Sequence, residues 1–435
     1  MTPATASAPG GSATSVPARD WPPVPRPIPE VSETVRADLS RAALPALDRW
    51  TADLTVLDIT KWFGETSGGV KTYLREKARY VSARGALRHV LVVPGPFDGY
   101  ALGAGVRTYR LRGPRIPTQT AYRFLFATRT TRRIFRHERP DLIEVGSPFF
   151  VPWVTALASR DLGVPLVAFH HTSLAGMPRG GRSPSRGRQA RLRLTGAYLR
   201  RLNRLFATTI VASDYAAQEL HQVGIDRVTR VPLGVDLQHF HPSRRDLRRA
   251  TRRRFALPED RPLVLYVGRL APEKSLEVAF DAWPAVARAT GAQLVIVGAG
   301  ASERALKERA AGEAVTWIPF LSDREMVARL HAAADVYLSP GAVETFGLSA
   351  LEAMASGVPV VSAAQGGGWE LVQRSQAGVG YEPGSPGDAA RALLEVLGHD
   401  PRILGARGRA YAEREHAWST VLDRLFDTYR EVLAR

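Results

Sequence analysis

The clearest hydrophobic pattern in the chain lies at residues 341–361, where a loop is followed by an amphipathic helix and then by a buried strand. Apolar residues recur there at helical spacing and form one face: Leu348, Leu351, Met354 and Ala355. Gly357 ends the helix, and the β-branched run 358–361 is typical of a parallel strand. The helix is therefore predicted to begin at the carboxyl end of a sheet, where open α/β proteins bind ligands and where a helix N-terminus attracts anions.

Short apolar runs alternate with helical stretches along most of the chain, at the spacing that is typical of α/β proteins. In the first half, the predicted strands cover residues 53–59, 90–93, 142–145, 166–169, 209–211 and 228–231. In the second half, they cover residues 263–267, 294–297, 315–317 and 335–338. Predicted helices include residues 121–137, 188–204, 214–223 and 417–435. The same architecture occurs twice, and each half is long enough to form its own core.

Two segments lack this pattern. Residues 1–48 are rich in Pro, Ala, Ser and Thr, and no apolar segment follows a basic start, so they predict a disordered tail and not a signal peptide. Residues 174–189 are rich in Gly, Arg, Ser and Pro, which predicts a mobile loop that overhangs a cleft.

Composition limits the function. The chain contains no cysteine, so it has neither disulfides nor thiolate sites, and no apolar run reaches the roughly 18 residues of a membrane-spanning helix. The formal net charge is +17, and arginines cluster at residues 176–204 and 244–254. Such clusters can attract anionic lipid or nucleic acid. They can also reflect composition bias, because arginine is the default cation in this chain.

Charged residues stand at two predicted strand ends. Glu344 and Glu352 lie eight residues apart around the first two turns of the predicted helix, although Glu352 alone could simply stabilise that helix. Arg269 and Lys274 follow the predicted strand 263–267, five residues apart across a turn. They could both reach a diphosphate, or they could be solvated surface cations.

The first half offers two further candidates. The pair Gly68 and Gly69 follows the first predicted strand and could form a backbone concavity for a phosphate or sugar, or only a tight turn. His170 and His171 follow the predicted strand 166–169, where a histidine is either structural or catalytic.

Residues 344–361 resemble the donor-binding signature of retaining family 4 glycosyltransferases of the GT-B fold; the match reads E-T-F-G-L-S-A-L-E-A-M-A-S-G-V-P-V-V without a gap. Residues 268–274 resemble the family's G-R-x-x-x-x-K motif. The resemblance covers most of residues 53–435 and is densest at 231–372. It implies an α/β fold of the GT-B type, with two Rossmann-like, doubly wound domains that face a central cleft.

The resemblance also implies domain boundaries. Residues 231–242 resemble the family's interdomain connection, so the acceptor-side domain is predicted at 49–240 and the donor domain at 241–416. The last helix, 417–435, is implied to cross back onto the first domain.

Residue by residue, the resemblance assigns the donor site to Gly68, Gly69, Gly268, Ile318, Phe320, Glu344, Thr345, Phe346, Gly347, Leu348 and Glu352. It implies catalytic roles for His171, Glu344, Arg269 and Lys274. Adjacency to Thr172 favours His171 over His170, and the sequence leaves that choice open. Because no D-x-D cluster stands at a strand end, no essential metal and no cofactor are expected, and the two cations are expected to stabilise the leaving diphosphate.

The sequence thus predicts a retaining, metal-independent glycosyltransferase that moves a hexose from a nucleotide sugar to a lipid, lipid-linked glycan or small-molecule acceptor. GDP-mannose is the first choice of donor; the alternative is UDP-glucose or UDP-N-acetylglucosamine with a soluble acceptor. The signature at 344–352 argues against an epimerase or phosphorylase. A nucleic-acid-binding protein is disfavoured because the arginine runs lack interleaved aromatic residues.

The predicted location is cytoplasmic. The stretch 188–204 reads as a basic amphipathic helix, which can lie on an anionic membrane surface or pack on its own domain. The membrane reading would make the acceptor a lipid or a lipid-linked glycan.

Overall fold

The computed structural model describes residues 34–46, 52–64, 68–117, 119–172 and 186–435, with the backbone alone at 119–121 and 186–193. Two predicted features lie partly outside these ranges, namely residues 1–33 and 47–48 of the tail and residues 174–185 of the loop.

A mixed sheet organises the first half of the chain. Its elements are β1 (Val35–Arg36), β2 (Leu54–Ile59), β3 (Leu87–Gly95), β4 (Gly99–Gly103), β5 (Val106–Arg112), β6 (Arg115–Ile116), β7 (Gln119–Arg123), β8 (Leu142–Val145), β9 (Leu166–His170), β10 (Thr208–Val211) and β11 (Val228–Arg230). The strand order is β1-β4-β5-β3-β2-β8-β9-β10-β11, and β6 pairs with β7 in a separate hairpin. From β5 to β11 the neighbours are parallel, whereas β4 and β1 are added antiparallel at one edge. The central strand β2 is buried along its whole length, as expected for a parallel sheet that is covered on both faces.

The helices of this half are α1 (Gly69–Ser82), α2 (Thr128–Glu138), α3 (Phe150–Ser159), α4 (Arg186–Asn203) and α5 (Asp214–His221).

Three predictions for this half were wrong. Residues 34–46, assigned to the disordered tail, carry β1, and Leu39 is fully buried. The predicted helix 121–137 begins only at Thr128, because its aromatic-rich start forms the β6–β7 hairpin and buries Leu125. The predicted loop 174–189 ends earlier, since α4 begins at Arg186.

The second half contains a fully parallel sheet. Its strands are β12 (Leu263–Val267), β13 (Gln293–Val297), β14 (Val315–Ile318), β15 (Val336–Ser339), β16 (Val360–Ala363) and β17 (Gly378–Tyr381). Their order is β14-β13-β12-β15-β16-β17. The helices are α6 (Arg248–Arg254), α7 (Leu276–Thr290), α8 (Glu303–Arg309), α9 (Arg324–Ala333), α10 (Leu348–Ala355), α11 (Gly367–Ser375), α12 (Pro386–Gly398), α13 (Pro401–Glu415) and α14 (Trp418–Leu433). Each sheet is thus a doubly wound α/β unit.

Helix α14 leaves the second half and packs against α1 of the first. The rings of Tyr80 and Phe426 stack with centroids 5.2 Å apart. The Tyr80 hydroxyl donates a hydrogen bond to Asp423. The last helix therefore belongs, by its packing, to the first domain.

A buried lysine stabilises the contact between α14 and the first domain. The Lys77 ammonium of α1 lies 2.8 Å from the carboxylate of Asp58 in β2 and donates to the Tyr429 hydroxyl of α14 at 2.7 Å. Tyr429 in turn donates to Glu144 of β8. Burial raises the pKa of Glu144 to about 8. Burial acts in the same direction on Asp58, but the Lys77 ammonium and the hydrogen bonds with His89 and Glu144 together outweigh it and hold the pKa of that carboxyl well below its usual range.

We predict that Tyr429→Phe lowers the free energy of unfolding by about 1–3 kcal/mol, because Lys77 and Glu144 each lose a buried hydrogen-bond partner. Urea unfolding followed by circular dichroism measures the change. Tyr381→Phe is the control, because Tyr381 is similarly buried and its hydroxyl has no hydrogen-bond partner among the described residues. Equal unfolding midpoints for the two variants would contradict a role for the Tyr429 hydroxyl.

Candidate functional site

Most of the predicted site residues lie where the strand order of each sheet reverses; His171 instead follows β9, and Ile318 and Phe320 lie at the end of β14 and just after it. In the second sheet the reversal falls between β12 and β15, whose following loops carry Arg269, Lys274 and Glu344. In the first sheet it falls between β2 and β8. The loops that leave such a switch point form a crevice for ligands.

The N-termini of α1 and α10 approach each other across the interdomain cleft. A Cβ atom placed on Gly69 would lie 3.9 Å from Leu348 Cδ2. The N-cap residues are Gly68 and Gly347, which have no side chain to occupy the first-turn N–H groups. Two helix N-termini whose N-cap residues supply no capping side chain, and whose dipole ends are positive, therefore meet at one point, which favours an anionic ligand.

The backbone conformation at position 347 requires a glycine. Its φ is +92°, and an added Cβ would lie 2.8 Å from the Cα of Gly368. Phe346 is almost fully buried and its ring lies 5.7 Å from that of His416, so its backbone and not its side chain is available to a ligand. The loop before α10 is thus held tightly against the start of α11.

The two predicted diphosphate cations form separate ion pairs, and Glu344 is the partner of one of them. The Lys274 ammonium lies 2.6 Å from Glu344 Oε1, and both side chains are about three-quarters or more buried. Arg269 instead pairs with Glu273 at 2.7 Å, and its side chain is 61% exposed. The structure therefore brings Lys274 to Glu344 and leaves Arg269 at the rim of the cleft.

Glu352 lies in α10 and turns toward a residue that the sequence analysis missed. Arg324 donates to Glu352 Oε1 at 3.3 Å and to Thr72 Oγ1 of α1 at 3.5 Å. Burial raises the pKa of Glu352, and Arg324 opposes that shift. One sequence signal could have revealed Arg324: it is the first residue of α9, where the helix dipole disfavours a cation.

The two histidines have different surroundings. His170 is buried in β9, where its Nε2 has no partner among the described residues. The His171 ring stacks on Phe169 at 4.2 Å, and its backbone oxygen accepts from the Thr345 hydroxyl of the second domain at 3.4 Å. Burial lowers the pKa of His171 to about 3, so its ring is neutral. His171 therefore stands at the cleft between the two domains.

The loops after β12, β13 and β14 adjoin one another beside this point. A Cβ on Gly298 would lie 1.9 Å from the oxygen of Gly268, and the Gly298 N–H donates to Ile318 O at 3.0 Å. Ile318 is buried, whereas Phe320 is 47% exposed. Of these two residues, both assigned to the donor site, Phe320 is thus the one with a free surface.

The domains also bind each other directly near the cleft. Ser213 Oγ donates to the backbone oxygen of Thr345 at 2.6 Å. Glu370 accepts from the N–H groups of Asp214 and Tyr215 at 2.8 and 3.3 Å, and so caps α5 from the opposite domain. This role of Glu370 was not apparent from the sequence, because its partner lies 156 residues away.

Four of the seven arginines in the cluster 244–254 form ion pairs with two carboxylates of the same protein. Arg245, Arg248 and Arg252 all pair with Asp335, and Arg252 is fully buried. Arg244 pairs with Glu325. These four side chains are therefore held by contacts within the protein, which leaves them less free to reach an external anionic surface.

Helix α4 uses part of its apolar face within its own domain. Leu199 and Leu202 are buried, whereas Leu194 is 72% exposed. Tyr198 accepts a hydrogen bond from Trp153 Nε1 of α3 at 3.2 Å. Across the ranges that the structure describes, no helix is long and apolar enough to cross a membrane.

Two family models match the chain in succession. The one described as Glycosyltransferase Family 4 matches residues 67–239, and the one described as Glycosyl transferases group 1 matches residues 248–413.

The chain is also similar to individual proteins. One is the GDP-mannose-dependent alpha-(1-6)-phosphatidylinositol dimannoside mannosyltransferase of Mycobacterium tuberculosis, with 31% identity over 83% of this chain and 90% of that protein. Another is the D-inositol 3-phosphate glycosyltransferase of Mycolicibacterium smegmatis, with 30% identity over 79% of this chain and 76% of that protein. Among solved structures, sucrose-phosphate synthase from Thermosynechococcus elongatus shares the fold, with a TM-score of 0.71 and 22% identity over 87% of this chain and 99% of that one.

We predict that the double substitution Arg269→Ala and Lys274→Ala weakens the binding of a nucleoside diphosphate about 10-fold or more, because two charge-assisted partners of the phosphate oxygens are lost. Isothermal titration calorimetry measures the affinity. The control is Arg304→Ala with Lys307→Ala, which removes the same two charges from the exposed face of α8. Unchanged affinity in the first double variant would reject the assignment.

Proposed function

Because this chain belongs to the family 4 glycosyltransferases, we propose that it transfers mannose from GDP-mannose to a hydroxyl group of a lipid or lipid-linked glycan. The predicted family and its GT-B fold are confirmed. The choice of donor and acceptor class is supported by the M. tuberculosis relative, whose name specifies GDP-mannose and a phosphatidylinositol dimannoside.

One observation carries the proposal: the glycine-capped N-termini of α1 and α10 meet beside the Lys274–Glu344 pair. The helix dipoles and Lys274 would stabilise the diphosphate as it leaves, in a cleft that restricts water. Glu344 would then accept hydrogen bonds from the sugar hydroxyls, and Glu352 from the ribose hydroxyls. When the donor binds, the contact between Lys274 and Glu344 would break. Lys274 would then contact the phosphate, and Glu344 would contact the sugar.

His171 suits a hydrogen bond to the sugar. A neutral imidazole at the cleft, fixed by its stack on Phe169, can donate or accept a hydrogen bond without adding a charge that competes with the diphosphate.

We further infer that the reaction retains the donor's anomeric configuration and needs no metal or cofactor. The leaving diphosphate would take the proton of the acceptor hydroxyl on the same face of the sugar, so no enzymic nucleophile is required. Lys274 and the two helix N-termini supply the positive charge near the diphosphate.

A soluble acceptor is the second candidate. The M. smegmatis relative is named for D-inositol 3-phosphate, which is not a lipid. With such an acceptor, UDP-glucose and UDP-N-acetylglucosamine remain the alternative donors.

An exposed aromatic surface, which we define as Phe124, Phe126 and Phe150, supports binding of the protein to a membrane and therefore a lipid acceptor. Phe126 and Phe150 are 50% and 55% exposed, and their ring centroids lie 5.6 Å apart. Because α3, which begins with Phe150, packs on the basic helix α4, this surface adjoins positive charge. Aromatic and cationic side chains together favour an anionic membrane at the cytoplasmic face.

We predict that GDP-mannose raises the melting temperature more than UDP-glucose or UDP-N-acetylglucosamine at equal concentration. At about 100 times its dissociation constant a ligand adds about 2.7 kcal/mol of stability. A thermal-shift panel of nucleotide sugars measures this. A larger shift with either uridine nucleotide would contradict the choice of donor.

We predict that transfer from GDP-mannose proceeds at an unchanged rate in excess EDTA and yields an α-linked product, since the donor is α-configured. Release of GDP gives the rate, and NMR of the isolated product gives the linkage. Loss of rate that Mg²⁺ restores would overturn metal independence, and a β-linked product would overturn retention.

We predict that the protein sediments with vesicles that contain anionic lipid and that binding falls at high salt. Phe126→Ser with Phe150→Ser should reduce the bound fraction, whereas Ile403→Ser, an exposed apolar residue of the second domain, should not. Equal recovery in the supernatant with neutral and anionic vesicles at low salt would refute membrane binding and favour the soluble acceptor.

A further inference from the structure

Lys61 is a nearly buried cation in the loop that follows β2. It is 8% exposed, and its ammonium lies 4.3 Å from the ring centroid of Trp62 and 4.6 Å from that of Phe149. The aromatic rings stabilise the cation from two sides.

The Lys61 ammonium has no anionic partner among the described residues. In contrast, Lys77 pairs with Asp58, Lys274 with Glu344 and Lys307 with Glu303. Burial lowers the pKa of Lys61, which shows that its surroundings disfavour the charge. Cation–π contacts are weaker than the cost of removing an ammonium from water, so the two rings alone do not compensate for the burial.

A second donor in the same loop also lacks an acceptor. The indole N–H of Trp62 is buried and unpaired within the described ranges. Buried polar groups in native proteins are nearly always hydrogen-bonded, and each exception requires an explanation. Lys61 and Trp62, which are consecutive in the chain, thus supply a cation and an N–H donor that both lack an acceptor. The oxygens of a phosphate group can pair with the one and accept a hydrogen bond from the other.

The loop that carries Lys61 lies where doubly wound sheets bind their ligands. It leaves the switch point between β2 and β8, and the Lys61 backbone N–H donates to Ser147 Oγ, after β8, at 3.0 Å. A Cβ on Gly146 would lie 3.8 Å from the His171 ring. The loop therefore adjoins the histidine that we assign to the transferred sugar.

The same loop also faces the donor domain. The Trp62 and Tyr122 rings meet edge to face, with centroids 4.9 Å apart. Burial raises the pKa of Tyr122, and the nearby Arg269 guanidinium opposes that shift. Tyr122 is thus within electrostatic range of Arg269, the rim cation of the second domain.

We propose that this loop binds the phosphate group of an acceptor that carries a phosphate monoester or diester, with Lys61 as the ionic partner. Trp62 and Tyr122 form the surface on which the acceptor's ring packs. The inference rests on the proposed glycosyltransferase function and specifies its acceptor. The phosphate can belong to a phospholipid headgroup or to a small phosphorylated polyol, which share this chemistry.

The test uses the full chain with Lys61→Met, which keeps the apolar stem and removes the charge. Calorimetry measures binding of myo-inositol 1-phosphate and of myo-inositol, and sedimentation measures binding to vesicles that contain phosphatidylinositol. The control is Lys307→Met, since Lys307 also lies over a tryptophan ring but is half exposed and paired with Glu303.

We expect Lys61→Met to weaken binding of inositol phosphate, of phosphatidylinositol vesicles or of both at least 10-fold, and to leave GDP-mannose binding unchanged. Loss with the soluble ligand alone identifies a phosphorylated polyol, and loss with the vesicles alone identifies a lipid headgroup. Trp62→Leu should weaken inositol and inositol phosphate alike.

Unchanged affinity for both phosphorylated ligands would overturn the proposal, as would weaker binding of GDP-mannose, which would assign Lys61 to the donor. These measurements require no turnover. Failure of the wild-type protein to bind or turn over any nucleotide sugar would instead refute the proposed function.

Discussion

The fully buried ammonium of Lys77 is the constraint on which the arrangement of the two domains depends. A buried ammonium must be paired, and here its partners come from two elements that are distant in sequence, Asp58 of β2 and Tyr429 of α14. Tyr429 completes this network, for both Lys77 and Glu144, only when α14 crosses back onto the first domain. Because Lys77 belongs to α1, the same network also fixes the helix whose N-terminus, at Gly69, meets Leu348 of the second domain.

The site follows from that placement. Two glycine-capped helix N-termini form a positive region, and the carboxylates beside it are already held by cations, Glu344 by Lys274 and Glu352 by Arg324. A nucleotide sugar carries both a diphosphate and hydroxyl groups, so it can satisfy the cations and the carboxylates at once. A simple anion would satisfy only the cations, and this difference favours the complete donor over free phosphate.

Sequence reasoning succeeded where a local pattern determines the structure. Helix α10 was predicted from its apolar spacing and begins at Leu348, one residue after the glycine that the backbone requires, and the parallel strands were predicted from short buried runs.

Prediction from the sequence failed where residues that are distant in the chain determine the structure. Residues 121–127, which are mostly apolar, fit a helix as well as a strand, and pairing with β6 selected the strand for the first three of them. The site roles of Arg324 and Lys61 depend on neighbours that no spacing reveals. The cluster 244–254 looked like free positive charge because its main partner, Asp335, lies more than 80 residues away.

The central claim is that Glu344 acts on the transferred sugar. The most direct measurement is the turnover of GDP-mannose by Glu344→Gln, together with the affinity of the same variant for GDP. The amide keeps the size of the side chain but loses the charge that orients the sugar, so we predict a fall in kcat of about 100-fold or more with GDP affinity changed only a few-fold. A variant with near-normal kcat and KM would contradict the account.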